Sequence, residues 1–148
     1  MSELHAIAFT DGGTRGNPGP YGCAAVIYIG DEQYEATRFL GEHGTVNQAE
    51  YEGLILALQL AKKNGVTHLR VRCDSKLIVE QVIGAWRIKE LTLQPLVDRA
   101  RSLAAAFEQI EIKHVHRKEN VAADALVTAL LDAHTGNPRR ERKPTSVS

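Results

Sequence analysis

The chain contains only two cysteines, and no apolar run approaches the roughly 18 residues that a membrane helix needs. Cys23 and Cys73 each sit inside an apolar segment, the usual setting of a small buried thiol rather than of a disulfide framework. The opening MSELHAIAFT has no basic stretch followed by an apolar one, so it does not read as a secretory signal. These absences point to a reducing cytoplasm and away from secretion or a membrane. Net charge is absent too: Lys+Arg and Asp+Glu both number 18, so charge alone gives no argument for a polyanionic partner. None of the six histidines pairs in sequence with a cysteine or another histidine at a zinc-ligand spacing. No internal repeat of about 20–50 residues is visible. What remains is a chain of 148 residues, 43% hydrophobic and 24% charged, which suits one globular domain.

The charge is unevenly placed. Arg139, Arg140, Arg142 and Lys143 face only Glu141 in the stretch 136–148, a net +3 that leaves the rest at −3. We read residues 1–135 as the domain and 136–148 as a short basic tail, either a solvated disordered end or a polyanion tether.

Along the domain, Leu4–Thr10, Tyr21–Ile29 and Glu32–Leu40 read as three strands, and Gly30-Asp31 between the last two predicts an antiparallel hairpin. Leu54, Ala57, Leu58 and Ala61 recur at helical spacing within Asn47–Asn64, with Gly65 as the stop. Leu69, Val71 and Cys73 alternate with polar residues as a fourth strand. Ser75 then caps a short helix ending at Gly84. A helix over 91–107, a strand over 110–115 and a helix over 120–133 complete the order βββαβααβα, a mixed sheet covered by helices.

Four carboxylates occupy unexpected places. Asp11 is predicted to follow the first strand, beside Gly12-Gly13, although Asp-Gly is also a common turn. Asp74 ends the fourth strand, where it can equally serve the next helix start. Glu50 shares a helix stripe with Leu54 and Leu58, and Asp124 shares one with Val121, Val127 and Leu131. A carboxylate on an inward face needs a partner. Four converging on one spot need cations, and an all-oxygen set selects Mg²⁺ or Mn²⁺ over Zn²⁺. Two such ions suit in-line phosphoryl displacement, the chemistry of nucleases.

The blocks FTDGGTRGNPGP, TVNQAEYEGLILAL, VRCDSKLIVEQVIGAW and HVHRKENVAADAL carry these four residues in order between Phe9 and about Ala129. Together they resemble the ribonuclease HI family. The resemblance implies an α/β fold with a five-stranded mixed sheet of order 3-2-1-4-5 and helices on both faces. It also implies hydrolysis of the RNA strand of an RNA–DNA hybrid to 5′-phosphate and 3′-hydroxyl ends, with two Mg²⁺ ions for which Mn²⁺ can substitute. Asp11 would bridge both ions, Glu50 and Asp74 would hold the one near the leaving oxygen, and Asp124 the one near the nucleophilic water. Glu50 would also touch a 2′-hydroxyl, which distinguishes RNA from DNA.

By the same resemblance, Asn17 and Asn47 look like minor-groove readers, Thr45 like an anchor for a DNA phosphate, and Asn120 like a loop residue near the scissile phosphate. Asn120 also fits a helix N-cap. Trp86 looks like the aromatic against which a DNA sugar packs, or else is a partly buried core indole. Long-form members insert a basic helix and loop after the helix that follows Asp74. Here AWRIKE runs almost straight into the next helix, so the chain resembles a short form without that protrusion. Arg87, Lys89 and the tail arginines are its available substitutes. In the short loop KHVHRKEN, either His116 or Arg117 matches the group that aids product release, and His114 belongs to the last strand. Val46 and Gln48 beside Asn47, and Lys76 after Ser75, would alter base-edge contacts.

Two other readings are compatible with the fold: a non-catalytic binding module for hybrids or duplex RNA, and an integrase-like DNA strand transferase. The intact quartet argues against the first, and the two asparagines suited to RNA against the second. The expected partner is therefore an RNA–DNA hybrid, met by a monomer. Deleting residues 136–148 is expected to weaken hybrid binding at low salt. An unchanged affinity in an anisotropy titration would remove the tail from binding.

Overall fold

The computed structural model describes residues 2–136, so the tail reading of 136–148 falls almost wholly outside the described residues. Three antiparallel strands open the chain: β1 (His5–Thr14), β2 (Gly19–Ile29) and β3 (Glu32–Gly44). Helix α1 (Val46–Lys63), strand β4 (His68–Cys73), helix α2 (Lys76–Val82) and helix α3 (Gln94–Ala104) follow. Strand β5 (Gln109–His114) and helix α4 (Val121–Thr135) end the described domain. The sheet order is β3-β2-β1-β4-β5, with β1, β4 and β5 parallel. Both the element order and the sheet order are those expected.

Local chemistry sets the elements. Gly30, at φ 58°, forms the tight β2–β3 hairpin with Asp31. Thr45 caps α1, its hydroxyl accepting the Gln48 N–H while the Gln48 side chain accepts the Thr45 N–H, a reciprocal capping box. Ser75 caps α2 by accepting the Ile78 N–H.

The sheet is buried on both sides by period-two alternation. Cys23, Ala25 and Ile27 of β2 join Ala6, Ala8, Leu69 and Val71 in the large core beneath α1, α2 and α3. Ala24 turns the other way and packs with Val127 and Leu131 of α4. No helix among the described residues is long and apolar enough to cross a membrane.

The structure corrects three local expectations. Asp11 does not follow β1 but lies within it, paired with Ala24 of β2, and the strand runs on to Thr14. Gly12-Gly13 is therefore not a turn. A Cβ on Gly12 would lie 2.2 Å from the Ala49 carbonyl carbon, and one on Gly53 would lie 2.6 Å from the Asp11 carbonyl oxygen. The glycines allow α1 to rest on β1 backbone to backbone. The helix expected over 91–107 begins instead as a 3₁₀ turn, Leu91–Leu93, and stops at Ala104, where the chain turns to bury Phe107 and the Glu108 N–H donates to the Thr67 carbonyl. Val121, expected on the inward stripe of α4, is 65% exposed: it is the first residue of the helix, and the buried positions are Ala123, Val127 and Leu131.

Gly53→Ala is expected to destabilise the fold by about 3 kcal/mol, since the added methyl meets backbone that cannot yield alone. Urea unfolding checks this, and a change below about 0.5 kcal/mol would contradict the close-approach account.

Candidate active site

The parallel register of β1 and β4 ends at the pair Thr10 and Cys73, so Asp11 and Asp74 are the next residues on two neighbouring strands. Strands in such a pair lie about 4.8 Å apart, which brings the two carboxylates together. Glu50 comes from the second turn of α1, held against Gly12 by the glycine contact. One carboxylate oxygen from each of Asp11, Glu50 and Asp74 lies within 4.8 Å of the other two. Asp124 of α4 stands outside this close group but shares with Asp11, Glu50 and Arg117 a cleft of about 280 Å³.

Electrostatics in the cleft are unfavourable to so many charges. Burial, then the charges of Asp74 and Asp124, push the Asp11 carboxyl up to about 8. Glu50 is likewise held well above the ordinary carboxylate range by burial and then by Asp11 and Asp74. The Gly12 N–H and the Arg117 guanidinium oppose that rise. Glu50 Oε1 is buried without a hydrogen-bond partner, an arrangement that costs free energy unless something positive meets it. The donor set is entirely oxygen and the buried orphan points to a cation, so these residues fit Mg²⁺ or Mn²⁺.

Asn120 is 1% exposed and makes no capping hydrogen bond, although it stands at the N-cap position of α4. Its amide instead donates to the Thr10 carbonyl at 2.7 Å and to Asp74 Oδ2 at 3.2 Å. It therefore fixes a cluster carboxylate to the end of the parallel strands.

The remaining expected residues surround the cleft unequally. Arg117 lines it, whereas His116 is exposed, does not line it, and neighbours His114 at 6.2 Å between ring centres. His114 is the last residue of β5, as expected. Asn17 is exposed and its Oδ1 accepts the Val46 N–H at 3.1 Å, tying the β1–β2 turn to the start of α1. Asn47, on the first turn of α1, donates to Glu90 Oε1 at 3.4 Å. Trp86 is 45% exposed with the Lys76 ammonium 5.9 Å from its ring centre, so it is not a core indole. It lines a groove with Arg87 and Lys89 in the segment that joins α2 to α3, where the helical structure among the described residues is the 3₁₀ turn Leu91–Leu93.

One pair escaped the sequence reading. Arg15 lines the cleft and is ion-paired to Asp132 of α4, with a further hydrogen bond to the Thr128 carbonyl at 3.3 Å. The cue was present: Asp124, Thr128 and Asp132 repeat every four residues and so share one helix face. Nothing in the sequence linked that face to a residue more than a hundred positions earlier.

Comparison with known proteins agrees with this architecture. A model of the reverse transcriptase-like family matches residues 9–130. The bifunctional protein Rv2228c of Mycobacterium tuberculosis is 39% identical over 147 residues, which cover 97% of this chain and 40% of that protein. The ribonuclease HI of Halobacterium salinarum is 40% identical over 84% of this chain and 63% of its own length. The chain thus spans less than two thirds of these relatives, whereas it matches 90% of a Bradyrhizobium diazoefficiens ribonuclease H at 32% identity. Among solved structures, the RNase H domain of Rv2228c superposes with a TM-score of 0.86 at 39% identity, covering 90% of this chain and 98% of that one. LC11-RNase H1 in complex with an RNA/DNA hybrid superposes at 0.81 and 34% identity, covering 88% and 99%. The chain belongs to the reverse transcriptase-like (RNase H-like) family, within the type 1 ribonucleases H.

Proposed function

We propose that this chain is an endoribonuclease that hydrolyses the RNA strand of RNA–DNA hybrids, using two Mg²⁺ ions, with Mn²⁺ able to substitute, and leaving 5′-phosphate and 3′-hydroxyl ends. The observation that carries the reading is the close group of Asp11, Glu50 and Asp74 with Asp124 in the same cleft. Asp11 would be shared by both ions, Glu50 and Asp74 would complete the holding of one, and Asp124 that of the other. Bound there, such a pair supplies an activated water and charge stabilisation for the attacking and leaving oxygens of an in-line displacement. The chain's own residues do the rest. Asn120 restrains the Asp74 carboxylate by donating a hydrogen bond to its Oδ2. Arg117 presents a cation beside the cluster that can meet a substrate phosphate and accompany the product out; His116, farther out, is the second candidate for that step.

Substrate reading follows the same positions. Asn17, bonded to the Val46 N–H, and Asn47, in the first turn of α1, would read base edges in the minor groove, and Glu50 would meet the 2′-hydroxyl. The Thr45 hydroxyl, whose Oγ1 lies 3.3 Å from Gln48 Oε1, can turn its proton to a DNA phosphate. Trp86 offers an exposed ring to a sugar, with Arg87, Lys89 and the basic stretch 136–148 supplying positive charge in place of a longer protrusion. The two free buried thiols suit a cytoplasmic enzyme, and we take residues 1–135 as its monomeric domain.

Incubating end-labelled hybrid, single-stranded RNA, duplex RNA and duplex DNA with and without Mg²⁺ tests the reading. Metal-dependent cutting of the hybrid's RNA strand alone is expected. Tight hybrid binding with no cutting would instead make the chain a binding module, and cutting of DNA a strand transferase or DNase. Asp11→Asn and Asp74→Asn are expected to abolish turnover with the fold intact; residual activity within about tenfold of wild type would refute their roles. Asn120→Ala is expected to lower activity or metal affinity by about 10–100-fold through loosened Asp74. Arg117→Ala and His116→Ala should slow turnover by about tenfold or less, mainly in steady state rather than in a single turnover. Without divalent ions, Asp11→Asn should melt higher than wild type because it relieves carboxylate repulsion, and added Mg²⁺ should raise the wild-type melting temperature more than that of the variant.

A further inference from the structure

We propose that the opposite end of the sheet carries a second cation site, for a borderline metal such as Zn²⁺, built by Glu3, His5 and His68. His5 and His68 are cross-strand partners in the parallel β1–β4 pair, so their side chains leave the same face at the N-terminal ends of the two strands. The rings stack with centres 4.5 Å apart and planes 24° from parallel, so the exposed His5 ring has to turn out of the stack for both in-plane lone pairs to meet on one ion. Glu3 lies two residues before β1 begins, and its Oε1 is 3.0 Å from His5 Nε2 and 3.9 Å from His68 Nε2. One donor atom from each of the three falls within 4.8 Å of the others. A tetrahedral zinc with bonds of about 2.0–2.2 Å separates its ligand atoms by about 3.3–3.5 Å. The separations of 3.0 and 3.9 Å bracket that value.

The surroundings of His68 favour the ligating tautomer. The Thr67 hydroxyl lies 2.8 Å from His68 Nδ1, and its own proton has the Leu4 carbonyl oxygen as a target at 3.2 Å. It is therefore able to accept an Nδ1–H, which leaves the Nε2 lone pair facing the Glu3 carboxylate. Two acceptors facing each other across 3.9 Å repel, and a cation between them turns the repulsion into attraction. The His68 side chain is 11% exposed and thus held in place, while Glu3 and His5 are more than half exposed and leave a path for an ion. A groove of about 470 Å³ adjoins the two histidines, with room for a water as fourth ligand.

This site is separate from the carboxylate cluster. His5 precedes Asp11 by six residues of the same strand, about 20 Å at strand rise. The donor sets differ as well: two imidazoles and one carboxylate select Zn²⁺ or Co²⁺, whereas the all-oxygen cluster selects hard ions. The role assigned to the ion is structural, fastening the segment before β1 to the start of β4.

Isothermal titration of the full chain with Zn²⁺ in saturating Mg²⁺, with Co²⁺ visible absorption and melting temperature as second and third readouts, tests the site. One equivalent of Zn²⁺ is expected, with a raised melting temperature and imidazole-type Co²⁺ absorption. His5→Ala, at an exposed position that does not threaten folding, should weaken binding of that equivalent by about tenfold or more. Glu3→Gln should do the same, and His68→Ala should abolish it. Absence of Zn²⁺ binding, or an equivalent that survives both His5→Ala and His68→Ala and therefore sits elsewhere, for example at His114 and His116, would overturn the proposal.

Discussion

The site depends on one backbone contact. Helix α1 crosses β1 where Gly12 and Gly53 face each other's neighbours, so close that a methyl on either would enter main-chain atoms. Glu50 and Asp11 both lie in that crossing, the Glu50 backbone against Gly12 and the Asp11 backbone against Gly53. Because peptide groups rather than flexible side chains set the separation, the two carboxylates are held beside each other before any ligand arrives. The parallel register of β1 with β4 then adds Asp74, and α4, packed on the other face through Val127 and Leu131, adds Asp124. Three packing relations thus bring the four carboxylates together.

Such convergence opposes stability. Burial and mutual repulsion raise the affinity of Asp11 and Glu50 for protons, and Glu50 keeps a buried oxygen without a partner. A fold selected for stability alone would have neutralised these positions. Their retention is intelligible if divalent cations complete the site, and the cation then contributes binding energy that the apo cleft lacks. Arg117 and Arg15, the latter ion-paired to Asp132, line the same cleft. Asn120 adds rigidity by joining β1, β4 and α4 at a single buried amide.

Much of this was legible in the sequence because period-two and helical spacing, turn residues and caps are local signals. The five strands, the four helices and the inward placement of Glu50 followed from them. Asp11 was seen but misplaced, because Gly12-Gly13 carries the same local signal whether it serves a turn or a helix crossing; only the position of α1 distinguishes the two. Val121 was misread since a stripe defined by spacing does not reveal that the first residue of the helix stands exposed. The Arg15–Asp132 pair, the tether from Asn17 to Val46 and the anchoring of Asp74 by Asn120 join segments far apart in the chain, and no local pattern encodes them. The stacked His5 and His68 were invisible for the same reason: their relation is a strand register, not a spacing.

The segment between α2 and α3 presents Trp86, Arg87 and Lys89 on a connection whose helical structure is the 3₁₀ turn Leu91–Leu93. The account stands or falls on the carboxylates acting together as a cation site. Crystals of the chain bound to an uncleaved hybrid and soaked in Mn²⁺, measured for anomalous scattering, test that directly. Two peaks flanking Asp11, one shared with Glu50 and Asp74 and one with Asp124, are the predicted result. Absence of any peak within bonding distance of these four side chains would contradict it.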